Sequence, residues 1–168
     1  MDAPDAADPA LTLPQHQVSP SAIGYWRVLA LITCAVVGIP LLVAAWAIPG
    51  LPGWVPIPAV AVVVALLVWA FVMPHVRFRI HRWEVTPTAI HTRAGWLSID
   101  QRIAPLSRVQ TVDSSQGALM RLFGIRSITV TTASAAGPIT IEGLDDEVAI
   151  RVVSELTAIV GRSEGDAT

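Results

Sequence analysis

Residues 28–73 read VLALITCAVVGIPLLVAAWAIPGLPGWVPIPAVAVVVALLVWAFVM, 46 positions without an Asp, Glu, Lys or Arg. A soluble helix carries charge on its outward face, so an uncharged run of this length does not suit a water-facing surface. A bilayer does suit it: one spanning helix needs about 20 apolar residues, and the run holds two. Ile48-Pro49-Gly50-Leu51-Pro52-Gly53-Trp54 breaks it in the middle, where Pro and Gly stop a helix and turn the chain. The reading is a transmembrane hairpin within residues 25–75, with helices at 28–48 and 55–73. Pro40 removes one backbone donor from the first helix and predicts a kink there. Pro56 and Pro58 fall in the first turn of the second, where a missing donor costs little. Trp26 and Trp54 sit at span ends, as aromatic residues do in the headgroup zone.

Neither span contains an ionisable group of the kind that marks ion pathways and proton relays, so the hairpin reads as an anchor. Arg77, Arg79 and Arg82 follow the second span closely, Arg27 precedes the first, and the connection between the helices is uncharged. Excess Arg marks the cytoplasmic side. The expected location is therefore the plasma membrane, multi-pass, with both termini cytoplasmic.

The 168-residue chain leaves room for one modest domain beside the hairpin. Residues 1–24, rich in Ala, Pro and Asp without an apolar period, are expected to be a disordered acidic tail. Residues 162–168 are expected to be a second tail. Cys34 is the only cysteine and lies inside a span, which excludes an intrachain disulfide.

Past the hairpin the period changes from helical to two-residue. Val76, Phe78 and Ile80 alternate with Arg77, Arg79 and His81, predicting a strand, and the slip of phase to Trp83 and Val85 predicts a bulge. Further strands are expected at 89–93, 97–104, 108–114, 127–132 and 139–142. Ala94-Gly95 and Ala136-Gly137-Pro138 supply hairpin turns. Leu119, Leu122 and Phe123 suggest one helical turn. A C-terminal helix over 145–160 has Asp145 to cap it and Gly161 to stop it, and presents Val148, Val152, Leu156 and Ile159 as one apolar stripe. The domain over 76–161 is thus α+β: six or seven antiparallel strands and a helix over an open face. A PH-like split β-barrel fits, as do other small α+β folds.

Gly95-Trp96-Leu97, then Arg102-Ile103-Ala104-Pro105-Leu106-Ser107-Arg108-Val109-Gln110, then Gln116-Gly117-Ala118-Leu119-Met120-Arg121-Leu122-Phe123-Gly124-Ile125, resemble the bacterial PH-like membrane proteins of the YdbS type. Ile141-Glu142-Gly143-Leu144-Asp145 before a helix and the preceding two-span hairpin are similar too. The resemblance covers about residues 25–160 and implies a cytoplasmic PH-like domain on a membrane hairpin. It implies no defined biochemical activity.

The residues themselves offer no catalytic constellation. His16, His75, His81 and His91 have no metal-ligand spacing, with His75 and His81 expected on a polar, lipid-facing edge. No nucleophile elbow, P-loop or dinucleotide fingerprint occurs. No enzyme activity, metal or cofactor is expected, and nucleic-acid binding finds no basic, aromatic surface to support it. Arg77, Arg79 and Arg82, with Trp83 and Trp96, are candidate contacts to membrane lipid or its surface, although topology alone accounts for the Arg cluster. Arg108 and Arg121 have no apolar role and are expected in a structural ion pair or a ligand contact, while Leu122 and Phe123 are expected to fill the barrel. Two functions stay open: a protein-interaction module that assembles a partner or a homo-oligomer, and an anionic-lipid-binding domain.

Overall fold

The computed structural model describes residues 13–133 and 137–165. Two long helices come first, α1 (Ser21–Ala47) and α2 (Pro56–Ile80). Ser19 starts α1, its hydroxyl accepting the Ser21 N–H at 3.2 Å. Pro49 and a positive φ at Gly50 end it, because an L side chain resists that conformation and Gly does not. Both helices run on through an internal proline, Pro40 in α1 and Pro74 in α2.

The helices meet along small residues. Ala30 and Cys34 of α1 pack on Ala70 and Met73 of α2, with Leu31, Leu66 and Trp69 beside them. At Gly38 an added Cβ would stand 3.2 Å from a Val63 methyl. Small residues let helix backbones approach where no hydrophobic drive separates helix from solvent. Outside this seam Ile32, Val36, Ile39, Val60, Val68 and Phe71 are exposed. Only 17% of the most apolar stretch of each helix is buried, which no soluble core helix would tolerate. This is a membrane protein with two helices long and apolar enough to cross the bilayer.

The domain is two antiparallel sheets and a closing helix. One sheet has the order β1 (His16–Gln17), β2 (Arg82–Val85), β3 (Ala89–Gly95), β4 (Ile99–Pro105). A 3-10 turn at Leu106–Arg108 leads to the other: β5 (Val109–Ser115), β6 (Ile125–Thr132), β7 (Ile139–Asp145). The short α3 (Ala118–Leu122) lies between β5 and β6, and α4 (Asp146–Gly165) follows β7. Inward residues alternate along β6, where Ile128 and Val130 are fully buried against Ile139 and Ile141 of β7. Ala149, Val152 and Leu156 of α4 join the same core, as their helical spacing predicts. The seven strands form a PH-like split arrangement, with the two sheets left unjoined between β4 and β7.

The order of β1 and β2 places the hairpin inside the domain. His16 pairs with Trp83 and Gln17 with Arg82, so one sheet contains strands from both sides of the membrane helices. Val18, Ala22 and Trp26 lie in the domain's core with Leu144 and Leu156. The expected tail over 1–24 is therefore ordered from residue 13 on. Ala22, Trp26, Ala30, Cys34 and Gly38 recur every four residues and are all buried, so one helical face serves first the domain and then the partner helix. Residues 1–12 lie outside the described residues.

Several boundaries differ from expectation. Residues 76–80 are helix rather than strand. Met73, Arg77 and His81 are spaced by four, face inward together and outweigh the three-residue alternation. The slip of phase before Trp83 is the end of α2, not a bulge; β2 pairs with β3 in unbroken register. Gly161 does not stop α4, which continues to Gly165, so residues 162–165 of the expected tail are helix; residues 166–168 lie outside the described residues. Ala136 of the expected turn is outside them too. Asp145, expected to cap α4, ends β7 and accepts a hydrogen bond from the Ser19 hydroxyl at 2.5 Å, tying the chain before α1 to the sheet. Leu122 is 83% exposed and fills nothing, whereas Phe123 is half-buried edge-on to Tyr25.

Candidate functional site

The junction between helices and domain gathers the first of the sequence-selected arginines. Arg77, in the last turn of α2, lies over the Trp26 ring with its guanidinium carbon 4.5 Å from the centroid. Its terminal nitrogen donates to Glu142 Oε2 of β7 at 2.5 Å. Trp26 is 2% exposed, so the cation faces a desolvated ring, where such a contact is worth about 2 kcal/mol. Glu142 in turn precedes Gly143, whose φ is +77° and whose missing Cβ would stand 2.8 Å from Ala22 Cβ. The Ser19 N–H donates to the Gly143 carbonyl at 2.8 Å. Arg77 is thus a joint among α1, α2 and β7.

His81 completes this joint. It is buried, its ring 5.1 Å from that of Trp26, and its Nδ1–H donates to the Arg77 carbonyl at 2.9 Å. Its Nε2 faces the Arg77 Nε at 3.4 Å as an acceptor. Burial first and the Arg77 charge second push His81 below the ordinary imidazole value of 6.5, against smaller opposing effects of the backbone bond and Glu142. The expectation of a lipid-facing His81 is therefore corrected: its ring closes the core. Because protonation is harder folded than unfolded, this contribution to stability is complete above about pH 6.5 and is lost as pH falls through the lower folded value. Thermal unfolding of the full chain in detergent should show Tm dropping from about pH 7 to about pH 5, with a shallower drop in His81→Gln. Equal slopes would remove His81 from the joint.

The other candidates scatter. Arg79 is exposed, and Arg82 is half-buried in β2, opposite Gln17 on one side and Arg93 on the other. Trp83 is 8% exposed, with its indole N–H donating to the Gln17 carbonyl at 3.3 Å and its ring 5.1 Å from His16. It faces the core, because β2 alternates and its inward phase falls on Trp83; a membrane contact for it is corrected. Trp96, at the β3–β4 turn, is 44% exposed, its ring edge-on to Trp69 of α2 at 6.3 Å. Arg108 and Arg121 are exposed and belong to neither ion pair found among the described residues, Arg77–Glu142 and Arg126–Asp146. Arg126, which the sequence did not single out, holds the start of α4 through Asp146 and also donates to Ser114 Oγ at 3.0 Å.

The open side of the sandwich provides the second feature. A cavity of about 310 Å³ lies between β4 and the β6–β7 end, lined by Arg102, Ile103, Arg108, Thr132 and Ile139 among others. A smaller one of about 250 Å³ adjoins Asp100, Arg102, Thr140 and Glu142. Arg102 reaches across the gap and donates to the Pro138 carbonyl at 3.0 Å. Sequence reading missed this mouth. Its signal was the phase of β4: Asp100, Arg102 and Ala104 share the face opposite Ala94, Thr92 and Ile90, so two charged residues occupy an inward phase.

Among the described residues no cluster of His, Cys, Asp or Glu has metal-binding geometry. The bacterial PH domain family model matches residues 11–159, taking in β1 and both helices along with the sheets. The UPF0699 transmembrane protein YdbS of Bacillus subtilis (strain 168) is 29% identical over 158 residues, covering 91% of this chain and 97% of that one. No solved structure matches. A match that begins before β1 and runs into α4 encloses the membrane hairpin within the domain, as the strand pairing does, and the chain belongs to the bacterial PH domain family.

Proposed function

We propose that this chain is a non-enzymatic assembly component of the plasma membrane, holding a PH-like protein-interaction domain at the cytoplasmic face. The observation that supports it is the insertion of the hairpin between β1 and β2, with Trp26 and Arg77 packed into the domain. A domain on a flexible tether samples many orientations; this one presents fixed surfaces relative to the bilayer. The surface offered to a partner, or to a second copy, is the free edge of β4. That strand pairs with β3 alone, and six of its seven residues are exposed, Ile99 and Ile103 included. Unpaired strand edges accept added strands through backbone hydrogen bonds.

Anionic-lipid binding by the Arg cluster is the alternative. It has Arg79 and Arg82 to work with, since Arg77 is held by Glu142 and Trp26. Arg108 remains a candidate ligand contact at the mouth of the sandwich, and Arg121 on α3. Crosslinking with mass spectrometry on the full chain in native membranes separates the readings. A protein crosslink through β4 that is lost in Ile103→Asp and retained in Arg79→Gln/Arg82→Gln is the expected result. An anionic lipid co-purifying in fixed ratio and lost in the double Gln variant, with no β4 crosslink, would install the lipid reading instead.

Orientation is checked in the same material. In a Cys34→Ser background, Gly53→Cys should react with an impermeant thiol reagent on intact cells and Ser154→Cys should not. An added Cβ at Gly53 meets nothing within 4 Å, so the substitution leaves the turn undisturbed. The reverse pattern would place the domain outside.

A further inference from the structure

The turn between β3 and β4 carries no charge from Ala94 through Ile99, and its apolar side chains point outward. Leu97 is 84% exposed, Ile99 51% and Trp96 44%. Gly95 shapes this tip: its φ is +130°, and an added Cβ would stand 1.9 Å from the Ser98 carbonyl oxygen. The turn is therefore tight, with Trp96 and Leu97 at its apex rather than folded back over the sheet.

What covers an apolar tip depends on where it sits, and Trp69 gives its position. The Trp96 and Trp69 rings meet at 6.3 Å. Trp69 belongs to α2, four residues before Met73, where the uncharged run ends. At 1.5 Å per residue, Trp69 lies about 6 Å inside that end. The tip thus touches α2 beside the stretch that lipid surrounds. On the outward face of the same sheet, Arg82 pairs with Arg93 across β2 and β3, with Glu84 and the buried His91 next along. An exposed Trp and Leu at this depth match the boundary between headgroups and acyl chains, where Trp concentrates.

We propose that the β3–β4 turn is a membrane-inserting wedge, with Trp96 and Leu97 entering the headgroup–acyl boundary of the leaflet from which α2 emerges. The wedge is a further attachment of the domain, beside α2, and fixes the tilt of its sheets against the bilayer. It rests on α2 crossing the membrane.

The test uses the full chain in nanodiscs of phosphatidylcholine and phosphatidylglycerol. In the Cys34→Ser background, an environment-sensitive fluorophore is attached at Leu97→Cys and, for comparison, at Ser154→Cys on the exposed side of α4. At Leu97→Cys the emission should be blue-shifted, quenched by lipids bearing a nitroxide near the headgroup, and shielded from iodide. At Ser154→Cys none of this should hold. Adding Trp96→Asp should reverse the behaviour at position 97. Equal iodide quenching at both positions would overturn the wedge. A blue shift without nitroxide quenching would also overturn it, by showing that protein covers the tip. Nitroxide quenching that persists in Trp96→Asp would do so as well, by showing a tip held near lipid without side-chain insertion.

Discussion

A fragment spanning residues 76–161 should fail to fold cooperatively, although it contains six of the seven strands and the closing helix. It lacks β1, Val18, Ala22 and Trp26, all contributed to the domain from the chain before the hairpin. A buried Trp covers about 150–250 Å². At about 25 cal/mol per Å² its loss alone removes roughly 4–6 kcal/mol. Whole domains are stable by about 5–15 kcal/mol, so little or nothing remains. A second chain isolates the cause: residues 13–31 joined by a short Gly/Ser linker to residues 69–165. Packed helices lie about 8–10 Å apart, which four extended residues span at about 3.3 Å each. This minimal chain should show a sharp melt, dispersed amide signals and buried-Trp fluorescence. If the 76–161 fragment instead melts as sharply, the hairpin ends are ornaments on an autonomous domain, and the rigid coupling fails with them.

Leu156→Asp should have an effect of similar size for a different reason. Leu156 is fully buried on α4 against the core, and a lone carboxylate there finds no cation. Truncating such a residue to Ala already costs about 2–5 kcal/mol, and an unpaired buried charge adds to that. Ile150→Asp is the matched control: the same helix and the same charge, at a residue 52% exposed, where a change within about 0.5 kcal/mol is expected. Because α1 and α2 dominate the helical signal, limited proteolysis of the full chain is the better measurement. Cleavage within the sheets should rise sharply in Leu156→Asp and stay at wild-type level in Ile150→Asp.

The membrane helices and the α4 stripe were legible in the sequence because each is a long periodic signal that one environment imposes. Ile128 and Val130 of β6 were legible for the same reason, on a two-residue period. Val76–His81 was misread because three alternating residues fit strand and helix alike; only the packing of Met73, Arg77 and His81 decides between them. Trp26 and Trp83 show a further limit. An aromatic residue near a span end satisfies both a headgroup zone and a protein core, and composition does not distinguish them. Trp26 needed the knowledge that residues 13–24 fold with the domain, a fact carried by two residue pairs of one strand pairing, 67 and 65 positions apart in sequence. The Arg102 mouth stayed hidden for a related reason, since the inward phase of β4 follows from its register with β3, which sequence alone left undetermined.

The pairing of β1 with β2 also sets an order of events during synthesis. His16 leaves the ribosome long before Trp83, with both apolar helices made between them. Until both helices are made, β1 has no neighbour, Trp26 has no core to enter and Glu142 has not yet been made. The sheet can close only after the whole hairpin has been made, so β1 waits through its synthesis. A chain that misses the membrane is left with two bare apolar helices, the kind of surface that chaperones and proteases recognise. The fold thereby ties the two halves of the chain together in time: the first strand of the domain is finished only by the first strand made after the anchor.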